Sequence, residues 1–139
     1  MASECAIYLK KYNIAYVSLW PGAVRTEHVL SLQKASDPND ETTKMYSKLI
    51  EIGETPEFAG KAVIHLATDP NIMKKSGKIV LTTWIANEFG YSDVDGRHHL
   101  NPFSIKYMLT LTGHTWLAAL MPEFVRFPMW LMAVMNHHF

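Results

Sequence analysis

Two stretches of this chain, Ile14-Ala15-Tyr16-Val17-Ser18-Leu19-Trp20 and Lys78-Ile79-Val80-Leu81-Thr82-Thr83, are nearly unbroken runs of strand-forming residues, and the segment between them carries helical patterning instead. A run without polar alternation marks a strand buried on both faces, as in parallel sheets. Strand, helices, strand is the order of a parallel pair joined by a right-handed crossover, the repeating unit of α/β layer folds. Two strands rarely suffice for a sheet, so the pattern predicts the C-terminal part of a larger doubly wound parallel sheet.

The helical signals are specific. Ala2, Cys5, Ala6 and Leu9 stand at i, i+3, i+4 and i+7, one buried stripe, with no capping residue before it, so the chain is expected to open in mid-helix. Pro21-Gly22 ends the first strand, and a helix is expected over 23–32 with Thr26 and Glu27 near its start. Ser36 to Asp40 reads as a loop, and Thr43 to Ile52 as a helix with Gly53 as its C-cap. Thr55-Pro56-Glu57 has a hydroxyl cap, a proline at the first helical position and an acid in the first turn. Phe58, Ala62, Leu66 and Ala59, Val63, Ala67 supply the core stripe, and Asp69-Pro70 stops the helix. The pattern changes at Trp84: Tyr91 to Arg97 is turn-rich, and a helical, methionine- and aromatic-rich segment follows. The expected division is therefore 1–83 and 84–139.

Composition narrows the functional classes. The 139 residues are 48% hydrophobic, and thirteen basic side chains balance thirteen acidic ones, which argues against a nucleic-acid partner. The single cysteine, Cys5, allows no internal disulfide and is expected as a buried structural thiol. His98-His99 and His137-His138 are adjacent pairs, poorly placed to share one ion, and His-x-x-x-His is absent, so no metal site is expected. His65, inside a helix, is expected to be packed or exposed. Ser18, Asp95 and His114 lack the Gly-x-Ser-x-Gly elbow of a hydrolase. The beginning has no basic n-region, and no window of eighteen apolar residues occurs, which points to the cytoplasm. Residues 116–139 are apolar and tryptophan-bearing; they fit either internal packing or an external contact with a membrane surface, such as the endoplasmic reticulum, or with a second copy of the chain.

Asn13 to Trp20 followed by Pro21-Gly22-Ala23-Val24-Arg25-Thr26 resembles the Pro-Gly-x-Val-x-Thr segment of the short-chain dehydrogenases/reductases. Ala67-Thr68-Asp69-Pro70-Asn71, Ser76-Gly77-Lys78, Tyr91 to Arg97, Trp116 to Ala119 and Pro128-Met129-Trp130 are similar to segments of one member of that family. The resemblance implies a Rossmann-type fold binding NAD(H) or NADP(H), with hydride transfer to a carbonyl or from an alcohol. It implies that Pro21, Gly22, Val24 and Thr26 line the nicotinamide and pyrophosphate side of the cofactor. Read without the resemblance, Pro-Gly is a plain strand-to-helix turn.

The departures from the family pattern are as informative. Gly-x-x-x-Gly-x-Gly is missing, and no tyrosine is followed four residues later by lysine. In the family that tyrosine donates a proton and the lysine lowers its pKa. By the register of the resemblance, Met1 falls just after the lysine. None of the 139 residues is therefore assigned a catalytic role. The expectation is a fragment or alternative product of a longer enzyme, with neither turnover nor cofactor binding of its own. The competing expectation is a non-catalytic protein that binds a membrane or a partner.

Overall fold

The computed structural model describes residues 2–35, 37, 40–122, 124 and 125. They fall into two compact units, Met1–His99 and Leu100–Phe139. In the first, helix α1 (Ala2–Lys10) leads to strand β1 (Ser18–Trp20), then helices α2 (Glu27–Ala35), α3 (Glu41–Glu51) and α4 (Pro56–Thr68), a 3-10 turn at Ile72–Lys74, strand β2 (Ile79–Leu81) and helix α5 (Thr82–Phe89).

The two strands pair in parallel, with Ser18 opposite Ile79, Leu19 opposite Val80 and Trp20 opposite Leu81. The ladder begins with the Gly77 N–H donating to the Tyr16 carbonyl at 2.8 Å and the Ser18 N–H to the Lys78 carbonyl at 3.0 Å. Gly77 is required here for two reasons. Its φ is +81°, and a Cβ on it would stand 3.1 Å from the Ala6 Cβ, where α1 crosses. The face that α1 turns inward is the one its spacing marks: Ala6 is buried, and Ala2, Cys5 and Leu9 are half-buried. Cys5 is thus less enclosed than expected.

The strands are shorter and wetter than the sequence suggests. Val17 and Leu19 pack on the core, whereas Ile14, Tyr16 and Trp20 are exposed, so the first run is covered on one face and alternates. Among the described residues β1 has a neighbouring strand on one side only, so its other edge is unpaired. Thr82 and Thr83 belong to α5 rather than β2. Their β-branched side chains favour a strand, but both are buried at the first turn of the helix, and tertiary packing overrides that preference.

Ala62 and Leu66 of α4, Val80 of β2 and Ile85 of α5 form the core, flanked by Val17, Leu19, Ile72, Phe89 and Tyr91. Helix α4 starts as its sequence predicts. The Thr55 hydroxyl accepts from the Phe58 N–H at 3.3 Å and Pro56 opens the helix. Phe58, Ala62 and Leu66 are its buried stripe; of the second, Ala59 is half-buried and Val63 and Ala67 are exposed. Helix α3 is capped by Asp40, and its C-cap is Ile52 rather than Gly53. The 36–40 loop lies mostly outside the described residues. His65 stacks on Phe89 and Tyr91, with ring centroids 4.8 Å away in each case.

The second unit pairs α6 (Ile105–Leu111) with α7 (Thr115–Leu120). Ser104 caps α6 by accepting from the Tyr107 N–H at 3.1 Å. Trp116, Leu120 and Phe124 are exposed. Trp130, Leu131 and the rest of 126–139, including His137-His138, lie outside the described residues. Among the described residues no helix is long and apolar enough to cross a membrane.

Candidate functional site

Because β1 and β2 run parallel, both end at the same edge of the sheet, and Trp20 opposite Leu81 brings Pro21 and Thr82 out side by side. This is the edge at which open α/β sheets bind ligands. Pro21 is exposed, Gly22 to Arg25 are half-buried and Thr26 is exposed. The four residues singled out from sequence therefore follow one another along a single loop, 21–26, leaving the carboxyl end of β1.

That loop is pinned along one side by the segment before α4. The Glu54 N–H donates to the Ala23 carbonyl at 2.8 Å, and the Arg25 N–H to the Glu54 carbonyl at 2.9 Å. A Cβ on Gly53 would lie 2.7 Å from the Ala23 carbonyl oxygen, so glycine is what lets the two backbones meet. Since Ala23 and Arg25 face Glu54 in this parallel bridge, Val24 turns its own N–H and carbonyl to the opposite side. The Thr26 N–H bonds the Val24 carbonyl at 2.9 Å. Thr26 also opens α2: its hydroxyl accepts from the Val29 N–H at 3.3 Å, its carbonyl from the Leu30 N–H at 3.0 Å. Gly22 is not among the residues with positive φ, so backbone strain does not require glycine there.

A buried carboxylate sits beneath the loop. Glu54, 2% exposed, accepts from the Gly22 N–H at 3.1 Å through Oε1 and from the Thr82 hydroxyl at 2.8 Å through Oε2. Burial pushes its pKa up, against the lowering effect of those two donors. Tyr91, whose hydroxyl donates to the Thr82 carbonyl at 3.5 Å, is pushed up to about 12 by burial and by the nearby Glu54 and Asp93 carboxylates.

Asp93 and Asp95 brace the same region from the 91–99 loop. Asp93 accepts from the Thr55 N–H at 2.9 Å, from the Thr55 hydroxyl, from the Val94 N–H at 2.7 Å and from His99 Nε2 at 2.6 Å. Burial raises its pKa, but the Thr55, His99 and Val94 donors outweigh this and hold it below the ordinary value. Asp95 bonds Arg97, and also Arg25 of the 21–26 loop at 2.7 Å; the two guanidinium groups hold its carboxyl well below the usual range. Asp93, Asp95 and His99 each offer one ligand atom within 4.8 Å of the others, yet each already holds a protein partner.

Sequence reading missed Glu54, Thr82 and Asp93, and weighed Asp95 only as a member of a hydrolase triad. An acid just before a helix start reads as ordinary capping chemistry, and nothing in the spacing marks Glu54 as buried. Asp93 and Asp95 sit in a stretch whose composition says only that it turns.

No family model matches the chain. Among curated proteins it is 38% identical over 141 aligned positions to dehydrogenase/reductase SDR family member 1 of Mus musculus, and 37% identical over 144 positions to the Homo sapiens protein of that name. Each alignment takes in 100% of this chain and 45% of the relative, so the chain spans a little under half the length of the proteins it matches. By sequence, the chain is similar, along the whole of its own length, to two proteins named as members of an SDR family of dehydrogenases/reductases.

Proposed function

We propose that these residues form the C-terminal, cofactor-facing part of an NAD(P)-dependent oxidoreductase of the short-chain dehydrogenase/reductase type acting on a carbonyl or alcohol, and complete a Rossmann-type sheet of which β1 and β2 are two strands. The observation that carries the reading is the 21–26 loop at the shared carboxyl edge of parallel strands, with the backbone of Val24 turned away from the segment that anchors it.

The donor set fits a nicotinamide dinucleotide. The Val24 N–H and the Thr26 hydroxyl proton are suited to an amide or phosphate oxygen, and Gly22 with Pro21 would border the ring. The cofactor supplies the hydride. What this chain contributes is a stiff wall: Glu54 and Asp95 hold the loop from below and beside, so that its donors are in place before a ligand arrives. The family's tyrosine and lysine are not among the 139 residues, so the proton for the carbonyl oxygen comes from elsewhere.

A chimera tests this: the aligned 45% of the mouse relative is replaced by these 139 residues, and NADH and NADPH binding are followed by fluorescence. Saturable binding weakened by changes at Val24 and Thr26 supports the proposal, whereas indifference to both overturns it. Sequencing transcripts upstream of Met1 is the companion test, with a glycine-rich strand-helix turn and Tyr-x-x-x-Lys in frame as the expected result. The second reading, a non-catalytic partner- or membrane-binding protein, is favoured by one observation, the exposed Trp116, Leu120 and Phe124 of the second unit.

A further inference from the structure

We infer that Glu54 is the positioning residue of the cofactor-facing loop, holding the turn after β1 in register with the first turn after β2 through its buried carboxylate. The inference rests on the reading of 21–26 as the cofactor loop for its functional meaning, but its geometry stands independently. All four polar atoms of Glu54 are committed: N–H to Ala23, carbonyl to Arg25, Oε1 to Gly22 and Oε2 to Thr82. Three of these reach the loop and the fourth reaches α5, so this side chain is where the two strand ends are referenced to each other. A purely structural filler would be apolar, since an ionisable group 2% exposed costs free energy unless its partners are needed.

The two oxygens differ in what a proton does to them. Oε1 faces the Gly22 N–H, which can only donate, whereas Oε2 faces the Thr82 hydroxyl, which can turn its own O–H away and accept, so protonation at Oε2 reverses that bond and leaves the one to Gly22. The other titratable groups acting on Glu54 are Asp93 and His99, and Tyr91 feels the Glu54 charge in turn. The brace is therefore coupled to one buried proton, and Glu54→Gln isolates it, because the amide keeps the shape, leaves its oxygen to the Gly22 N–H, donates its NH2 to the Thr82 hydroxyl and does not titrate.

The test follows the amide signals of the 139-residue chain by NMR against pH, in wild type, Glu54→Gln and Thr82→Val. The expected result is a shared titration at the Gly22 and Thr82 amides that vanishes in Glu54→Gln. In Glu54→Leu, which removes both side-chain bonds, Gly22 exchange is at least tenfold faster, and signals from Ala62 to Leu66 do not move. Thr82→Val, which removes one donor and keeps the Gly22 bond, is expected to shift the titration without abolishing it, and it decides the matter if Glu54→Gln does not fold. A Gly22 signal that titrates identically in wild type and in the variant that folds overturns the inference. In the chimera, Glu54→Leu is expected to raise the KM for NAD(P)H about tenfold with little change in kcat. A chimera insensitive to Val24 and Thr26, beside a Gly22 signal that follows Glu54, would sink the cofactor reading and leave the positioning role intact.

Discussion

The Thr82 hydroxyl donates to Glu54 Oε2 at 2.8 Å in a site where Thr82 is 0% and Glu54 2% exposed, joining the first residue of α5 to the residue before the cap of α4. The bond makes the carboxyl edge of β1 and β2 one braced unit rather than two independent loops.

Two buried carboxylates in this unit should have opposite pH signatures. The folded pKa of Glu54 is raised above 4.5, so its contribution to stability is full below that value and is lost as pH rises through the folded pKa. That of Asp93 is lowered below 3.8, so its contribution is present above 3.8 and is lost as pH falls through the folded pKa. Urea midpoints of Glu54→Gln and Asp93→Asn against wild type, measured across acid pH, should diverge from it in opposite directions. Parallel curves would contradict the assignment.

Helix α4 allows a test of which face is inward. Leu66→Ala, in the core with Val80 and Ile85, should cost about 2–5 kcal/mol, and Val63→Ala on the exposed face within about 0.5 kcal/mol of zero. Equal losses in chemical denaturation would mean that the second stripe is buried after all.

Thr26 has two duties that separate by measurement. Losing its hydroxyl removes the bond to Val29 N–H, so Thr26→Ala should cost about 0.5–2 kcal/mol of stability. Thr26→Ser, which keeps the oxygen, should recover most of it. A Thr26→Ser variant as unstable as Thr26→Ala would remove the capping role.

How much of this was legible beforehand depended on whether the signal was local. The α4 start at Thr55-Pro56 and the stripe of α1 follow from residues a few positions apart, and so does the position of the 21–26 loop after its strand. The pairing of β1 with β2 was readable because parallel strands need an intervening helix. Glu54 with Thr82, Asp93 with Thr55 and Asp95 with Arg25 join residues far apart in sequence, and no periodicity encodes such pairs. The one-sided burial of β1 was equally hidden, because a run of apolar residues states a preference for burial and not whether a layer is there to provide it.

The second unit should associate through its exposed apolar side chains. Sedimentation of the chain is expected to show self-association relieved by Trp116→Glu with Leu120→Glu, and a monodisperse wild-type monomer would refute the contact. Flotation with liposomes separates lipid from a second copy as the partner.

The most direct measurement of the central claim is NADH and NADPH affinity in the chimera carrying these 139 residues, compared with Thr26→Ala and with Val24→Pro, which removes the one N–H that the bridge to Glu54 turns outward. The account predicts saturable binding weakened by about 0.5–3 kcal/mol in Thr26→Ala, and weakened as well in Val24→Pro. A folded chimera that binds neither nucleotide, or binds one with an affinity that both substitutions leave unchanged, would contradict it.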